Sequence, residues 1–145
     1  MTLLELCDPD PPCVPVEASV ADAIRVMLDQ HVGAVGIVDA EGRVAGIFTE
    51  RDVLRKLSLS GRTPASTPVR EVMTTPVEMA TIAMSPVEAL ATMVERHYRH
   101  LPVVGDGGKM LGMLSIRNVL EGKIDDLTRQ LGNEKKPARD SKEIA

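Results

Sequence analysis

Aromatic side chains are nearly missing from this sequence of 145 residues, which has one phenylalanine (Phe48), one tyrosine (Tyr98) and no tryptophan. A core must therefore be aliphatic, with the eight methionines read as core filling. The same shortage disfavours a nucleic-acid reader that stacks bases on aromatic platforms. A net charge of −4 further disfavours tight non-specific DNA binding. Long apolar runs are also absent: none approaches the roughly 18 to 20 residues of a membrane span. The start, Met1-Thr2-Leu3-Leu4-Glu5-Leu6, lacks the basic opening and apolar stretch of a secretory signal. The two cysteines, Cys7 and Cys13, could close only a very short loop. They read as free thiols in a reducing cytoplasm, where the protein is expected to reside. His31, His97 and His100 lack paired-His or CxxC spacing, so no metal site is expected. No nucleophile elbow or P-loop lysine occurs either, and the reading is that the chain is not an enzyme.

What the sequence does contain is a repeat with an offset of 66 residues. Gly46-Ile47-Phe48-Thr49-Glu50-Arg51-Asp52-Val53-Leu54 returns as Gly112-Met113-Leu114-Ser115-Ile116-Arg117-Asn118-Val119-Leu120. The same offset carries Ser19 to Ser85, Met27 to Met93 and His31 to His97. Such a period has to be settled before any fold is assigned. The repeats are placed at 1–60 and 61–125, with a Ser-, Gly-, Thr- and Pro-rich linker at about 58–68. The polar segment 132–145 is expected to be a disordered tail.

Each repeat opens with a short apolar turn, Leu3, Leu6 and Cys7 matching Val69, Val72 and Met73. An extended segment follows, Val14-Pro15-Val16 or Ala80-Thr81-Ile82. Ser85-Pro86-Val87-Glu88 then predicts a helix start, with serine at the cap, proline first inside and glutamate three residues on. Ser19-Val20-Ala21-Asp22 is a weaker form of the same box. Ala23, Met27 and His31 step by four, the spacing of an amphipathic helix. Two β-type runs around Asp39-Ala40-Glu41-Gly42 predict a hairpin, and Leu101 to Leu114 predicts its counterpart. Second helices are expected near Glu50 and near Ile116, the latter long, with Gly122 a possible break. Its apolar positions continue to Leu131, suggesting packing on the other half or on a second subunit.

This order, together with Val69-Arg70-Glu71-Val72-Met73-Thr74, Arg99-His100-Leu101-Pro102-Val103-Val104 and the two terminal motifs, resembles the cystathionine-β-synthase (CBS) domain in tandem. The resemblance implies an α+β fold in which two β-α-β-β-α motifs pack with pseudo-twofold symmetry into one module with two clefts. It also implies a regulatory sensor, often a homodimer, that binds AMP, ADP, ATP or S-adenosylmethionine and signals to an effector protein. A carboxylate can accept hydrogen bonds from both hydroxyls of a ribose, so Asp52 with Thr49, and Asn118 with Ser115, are the expected ribose residues. Arg51, Arg99, His100 and Arg117 are the expected phosphate residues, Arg51 lying at a helix start that itself favours anions. Val16, Val35, Ile82 and Leu101 are the expected base contacts. Without the resemblance, Thr49 and Asp52 fit an ordinary helix cap.

Asn118 keeps one acceptor and loses the charge, which weakens its cleft about tenfold or more. Arg99-His100, opposite the uncharged Gly33-Ala34, instead favours the cleft of the second copy, and the sequence leaves the balance open. The alternative function is a ligand-free dimerisation or interaction scaffold.

Overall fold

The computed structural model describes residues 2–8 and 10–132; of the tail expected to be disordered, 133–145 lie outside the described residues. The first repeat comprises α1 (Leu3–Leu6), β1 (Cys13–Pro15), α2 (Val20–Gln30), β2 (Ala34–Val38), β3 (Val44–Thr49) and the turn α3 (Glu50–Asp52). The chain continues from α3 as a π-helix, Val53–Leu57, rather than the regular helix expected there. The second repeat comprises β4 (Ala80–Thr81), α4 (Pro86–Arg96), β5 (His100–Val104), β6 (Met110–Ser115) and α5 (Ile116–Gln130).

Both halves form a three-stranded sheet, ordered β1-β2-β3 and β4-β5-β6, the first pair parallel and the second antiparallel. The 66-residue offset survives in the register. Ala34 faces Thr49 as His100 faces Ser115, and the register shifts at Ile37/Val38 and again at Val103/Val104. The architecture is the α+β arrangement expected.

Local chemistry explains the helix boundaries. Ser19 and Ser85 accept from the N–H groups of Asp22 and Glu88, whose carboxylates accept in return from the serine N–H groups. Those backbone donors hold both carboxyl groups below their ordinary pKa. At the other ends, His31 (φ 56°) and His97 (φ 61°) take the left-handed conformation, and their N–H groups return to Met27 and Met93 carbonyls. α5 runs through Gly122 without a break, that glycine being buried.

The two cores exchange segments. Val20, Ala23, Met27, Val35 and Phe48 of the first repeat are joined by Val69 and Val72 from the start of the second. Ala89, Met93, Leu101, Leu114 and Val119 are joined by Leu3 from the start of the first. Room for the crossing segments comes from the glycine of each terminal motif. A Cβ at Gly112 would lie 2.8 Å from Cys7 Cβ, and one at Gly46 would lie 3.0 Å from both Met73 Cγ and the Thr74 carbonyl oxygen. Backbone bonds fasten the crossing, with Thr74 and Ile47 exchanging N–H···O contacts of 2.8 and 3.1 Å. Ala34, Ile47 and Met113 form a third, smaller cluster that draws on both halves. Met27, Met93 and Met113 are buried and Met73, Met84 and Met110 partly so, while Met79 is exposed.

On α5 the expected cover is not seen among the described residues: Leu120, Ile124, Leu127 and Leu131 are exposed. Among those residues no helix is long and apolar enough to cross a membrane.

Candidate functional site

Strand β3 alternates, so Phe48 enters the core while Ile47 and Thr49 face the other way. Thr49 then caps α3, its Oγ1 accepting from the Asp52 N–H at 3.2 Å while Asp52 Oδ2 accepts from the Thr49 N–H at 3.0 Å. The capping arrangement and the ribose pair are thus the same two residues. Asp52 is only 7% exposed. Its Oδ1 lies 3.3 Å from Lys56 Nζ and accepts from the Thr74 hydroxyl at 3.4 Å. An ionised carboxylate has about four acceptor positions, so these contacts leave capacity for a further donor. The Thr49 hydroxyl uses its oxygen for the cap and keeps its proton to donate.

In the second copy Ser115 Oγ accepts from the Asn118 N–H at 3.0 Å, and Asn118 Nδ2 donates to the Leu6 carbonyl at 3.0 Å. The repeat offset relates Leu6 to Val72, whose carbonyl accepts from Lys56 Nζ at 2.8 Å. The position equivalent to Lys56 is Gly122, which has no side chain to donate. Asn118 therefore takes over the donor role of the missing lysine, which an aspartate could not fill. Asn118→Asp should leave the Leu6 carbonyl without its partner and destabilise the chain by about 1 to 3 kcal/mol. Urea unfolding checks this, and an unchanged midpoint would mean that the bond contributes nothing.

A cleft of about 780 Å³ opens beside Thr49 and Asp52. Arg51, Arg55, Arg96 and Arg99 line it, against the carboxylates of Glu50, Asp52 and Glu78. Ile47, Leu54, Pro76, Val77 and Tyr98 supply its apolar wall. A second cleft, of about 890 Å³, holds Ser115 and Asn118. It has two arginines, Arg99 and Arg117, against Asp8, Glu50 and Glu121, and Arg117 already lies 3.5 Å from Glu121. Both volumes lie in the range of small-ligand sites.

Arg99 and His100 line both clefts. Arg99 is not reserved for the Asn118 cleft, and the Asp52 cleft holds the larger set of cations. Burial, and then the Arg99 charge, push the His100 imidazole down to about 4. At neutral pH it can offer a phosphate an N–H but no charge.

The four apolar residues expected against a base line neither cleft. Val35 and Leu101 are fully buried because their strand positions face the helices. Val16 packs on the first core and Ile82 is exposed elsewhere. The apolar cleft residues on the strands are Ile47 and Met113, two positions before Thr49 and Ser115. Strand alternation in the terminal motif is the signal that could have found them.

Cys7 and Cys13 are free thiols, and burial raises both, Cys7 to about 11. Among the described residues no group of three His, Cys, Asp or Glu could hold a metal ion.

The sequence pattern of the CBS domain matches twice, over residues 4–59 and 69–125. A 17.7 kDa protein of Acidianus ambivalens is 33% identical over 124 residues, which cover 86% of this chain and 72% of that protein. Other curated relatives are longer: the chain spans about half of the length of two of them, and from about two fifths down to a fifth of others. The solved structure of a protein with CBS domains from Burkholderia ambifaria superposes with a TM-score of 0.78 at 32% identity, covering 96% of this chain and 100% of that one. A CBS domain pair solved with 5′-methylthioadenosine and S-adenosyl-L-methionine superposes with a TM-score of 0.77 at 19% identity, covering 87% and 98%. With both halves matched and the paired fold reproduced, the chain belongs to the CBS-domain family as a tandem pair.

Proposed function

We propose that this tandem pair is a non-catalytic regulatory module that binds an adenosine-containing ligand and transmits its occupancy to a partner protein. AMP, ADP, ATP and S-adenosylmethionine share the adenosine half that Thr49 and Asp52 are placed to read. One observation carries this reading: a carboxylate and a hydroxyl able to take a ribose diol stand in the same cleft as four arginines able to take a phosphate. The related fold that holds two adenosine compounds supports the ligand class. Free thiols agree with a cytoplasmic setting. A homodimer is supported by exposed apolar pairs at equivalent positions, Leu28 with Leu54 and Val94 with Leu120. Signalling requires that the ligand favour one arrangement of the halves or subunits over another.

Calorimetric titration with AMP, ADP, ATP and S-adenosylmethionine tests the reading on native protein and on Asp52→Asn. The amide can still accept from the Thr49 N–H, so the cap is retained while the charge is lost. Affinity should fall roughly tenfold or more. Equal binding by both proteins would remove Asp52 from the site.

A second reading, a ligand-free dimerisation or interaction scaffold, is favoured by one specific feature. The polar groups of both candidate ribose sites already have partners within the chain, Asp52 with Thr49, Thr74 and Lys56, and Asn118 with Leu6. A folded dimer that binds none of the four ligands would select this reading.

A further inference from the structure

Only a thin wall separates the two clefts. Gly33, Glu50, Arg99 and His100 line both of them. The wall is built by equivalent backbone bonds: the Glu50 N–H donates to the Gly33 carbonyl at 3.0 Å, and the Ile116 N–H donates to the Arg99 carbonyl at 2.9 Å. Positions 33–34 and 99–100 correspond through the repeat, yet one pair is Gly-Ala and the other Arg-His. A Cβ at Gly33 would lie 2.5 Å from Glu50 Oε1 and 3.3 Å from His100 Cε1, so a larger residue there would crowd the Glu50 carboxylate and the His100 ring.

Two clefts therefore share one guanidinium at their common wall. The Asp52 cleft has three further arginines, Arg51, Arg55 and Arg96, the last lying 3.6 Å from Glu78. The Asn118 cleft has only Arg117, already beside Glu121, and Asp8 adds negative charge, while Glu50 is shared by both clefts. With Arg99 turned toward the Asp52 cleft, a phosphate in the other would meet more carboxylates than cations. Like-charge contact of this kind discriminates strongly in a partly enclosed site.

We infer that the two clefts share a single phosphate seat at Arg99, so that each chain holds one phosphorylated adenosine ligand, in the Asp52 cleft, and leaves the Asn118 cleft to a phosphate-free adenosine compound. This rests on the adenosine-binding reading above and adds the division of ligand classes between its two sites. A phosphorylated ligand in one cleft lowers the affinity of the other for a second phosphate, while a phosphate-free compound escapes that penalty.

The experiment titrates ADP into the native full chain by calorimetry, then titrates adenosine into the ADP-saturated protein. ADP should saturate at one equivalent per chain, and adenosine should add a second, weaker equivalent without displacing it. Arg99→Gln, a change at an exposed side chain, should weaken ADP roughly tenfold. Adenosine binding by the same variant should stay within about twofold of native. Two ADP equivalents of like affinity would overturn the shared seat, as would ADP binding unaffected by the variant. Adenosine that only competes with ADP one for one would overturn the division between clefts. Failure of both compounds to bind would overturn the inference together with the functional reading beneath it, an outcome distinct from the others.

Discussion

Truncating Phe48 to alanine is expected to destabilise the chain by about 3 to 5 kcal/mol, a large share of the roughly 5 to 15 kcal/mol typical of a domain. Phe48 is the one phenylalanine in the sequence and is fully buried. It packs with Val14, Val35 and Met27, side chains too small or too few to fill the space a benzyl group leaves. The loss should not be confined to the first half. Val69 and Val72 belong to that core, while Leu3 is held in the other, so opening either core releases a segment fastened to its neighbour. Urea unfolding should therefore show a single transition in both native protein and variant, with a lower midpoint and an unchanged slope. Leu114→Ala, at the equivalent place in the second core, should act the same way with a loss of about 2 to 5 kcal/mol. Two separated transitions in either variant would show that the halves unfold independently.

Acidification should produce the second large effect. A histidine in an unfolded chain titrates near 6.5, whereas His100 in the fold is pushed down to about 4 by burial and the Arg99 charge. Between those values the unfolded chain takes up a proton that the folded chain does not, so folding stability falls as the pH is lowered. The slope is about 1.4 kcal/mol per pH unit. The full loss between pH 6.5 and 4 is roughly 3 kcal/mol, and above pH 7 the contribution is complete and flat. Unfolding free energies measured across that range for native protein and His100→Gln isolate the effect, since the variant lacks the titrating group. Parallel curves for the two proteins would contradict it, and an NMR titration of His100 gives the pKa directly.

Much of this fold could be read from local patterns. Ser85, Pro86 and Glu88 announce a helix start within four residues, and each hairpin is marked by two β-type apolar runs around a glycine-bearing turn. The repeat then doubles every such signal. What could not be read involves partners far apart in sequence. The apolar positions of Leu3 and Val69 show that a face must be buried but not which half buries it. The bond from Asn118 to Leu6 spans 112 residues, so the amide's donor role at that carbonyl has no local sign in the sequence. Asp52 and Thr49 were legible as a pair, and the structure shows them as a reciprocal helix cap that also lines a cleft. The placement of Arg99 and His100 on a wall between two clefts follows from how the halves meet, which periodicity does not encode.

The exchange of segments also imposes an order on biosynthesis. Because a ribosome adds residues from the N-terminus at roughly 5 to 20 per second, the first sheet is complete before Val69 and Val72 exist to close its core. Leu3, made before either sheet, has no resting place until Leu101, Leu114 and Val119 have followed it. The nascent chain thus carries an unsatisfied apolar segment while both repeats are being made. A stall between the two repeats would present that segment, together with an open first core, to any chaperone or neighbouring nascent chain able to cover them.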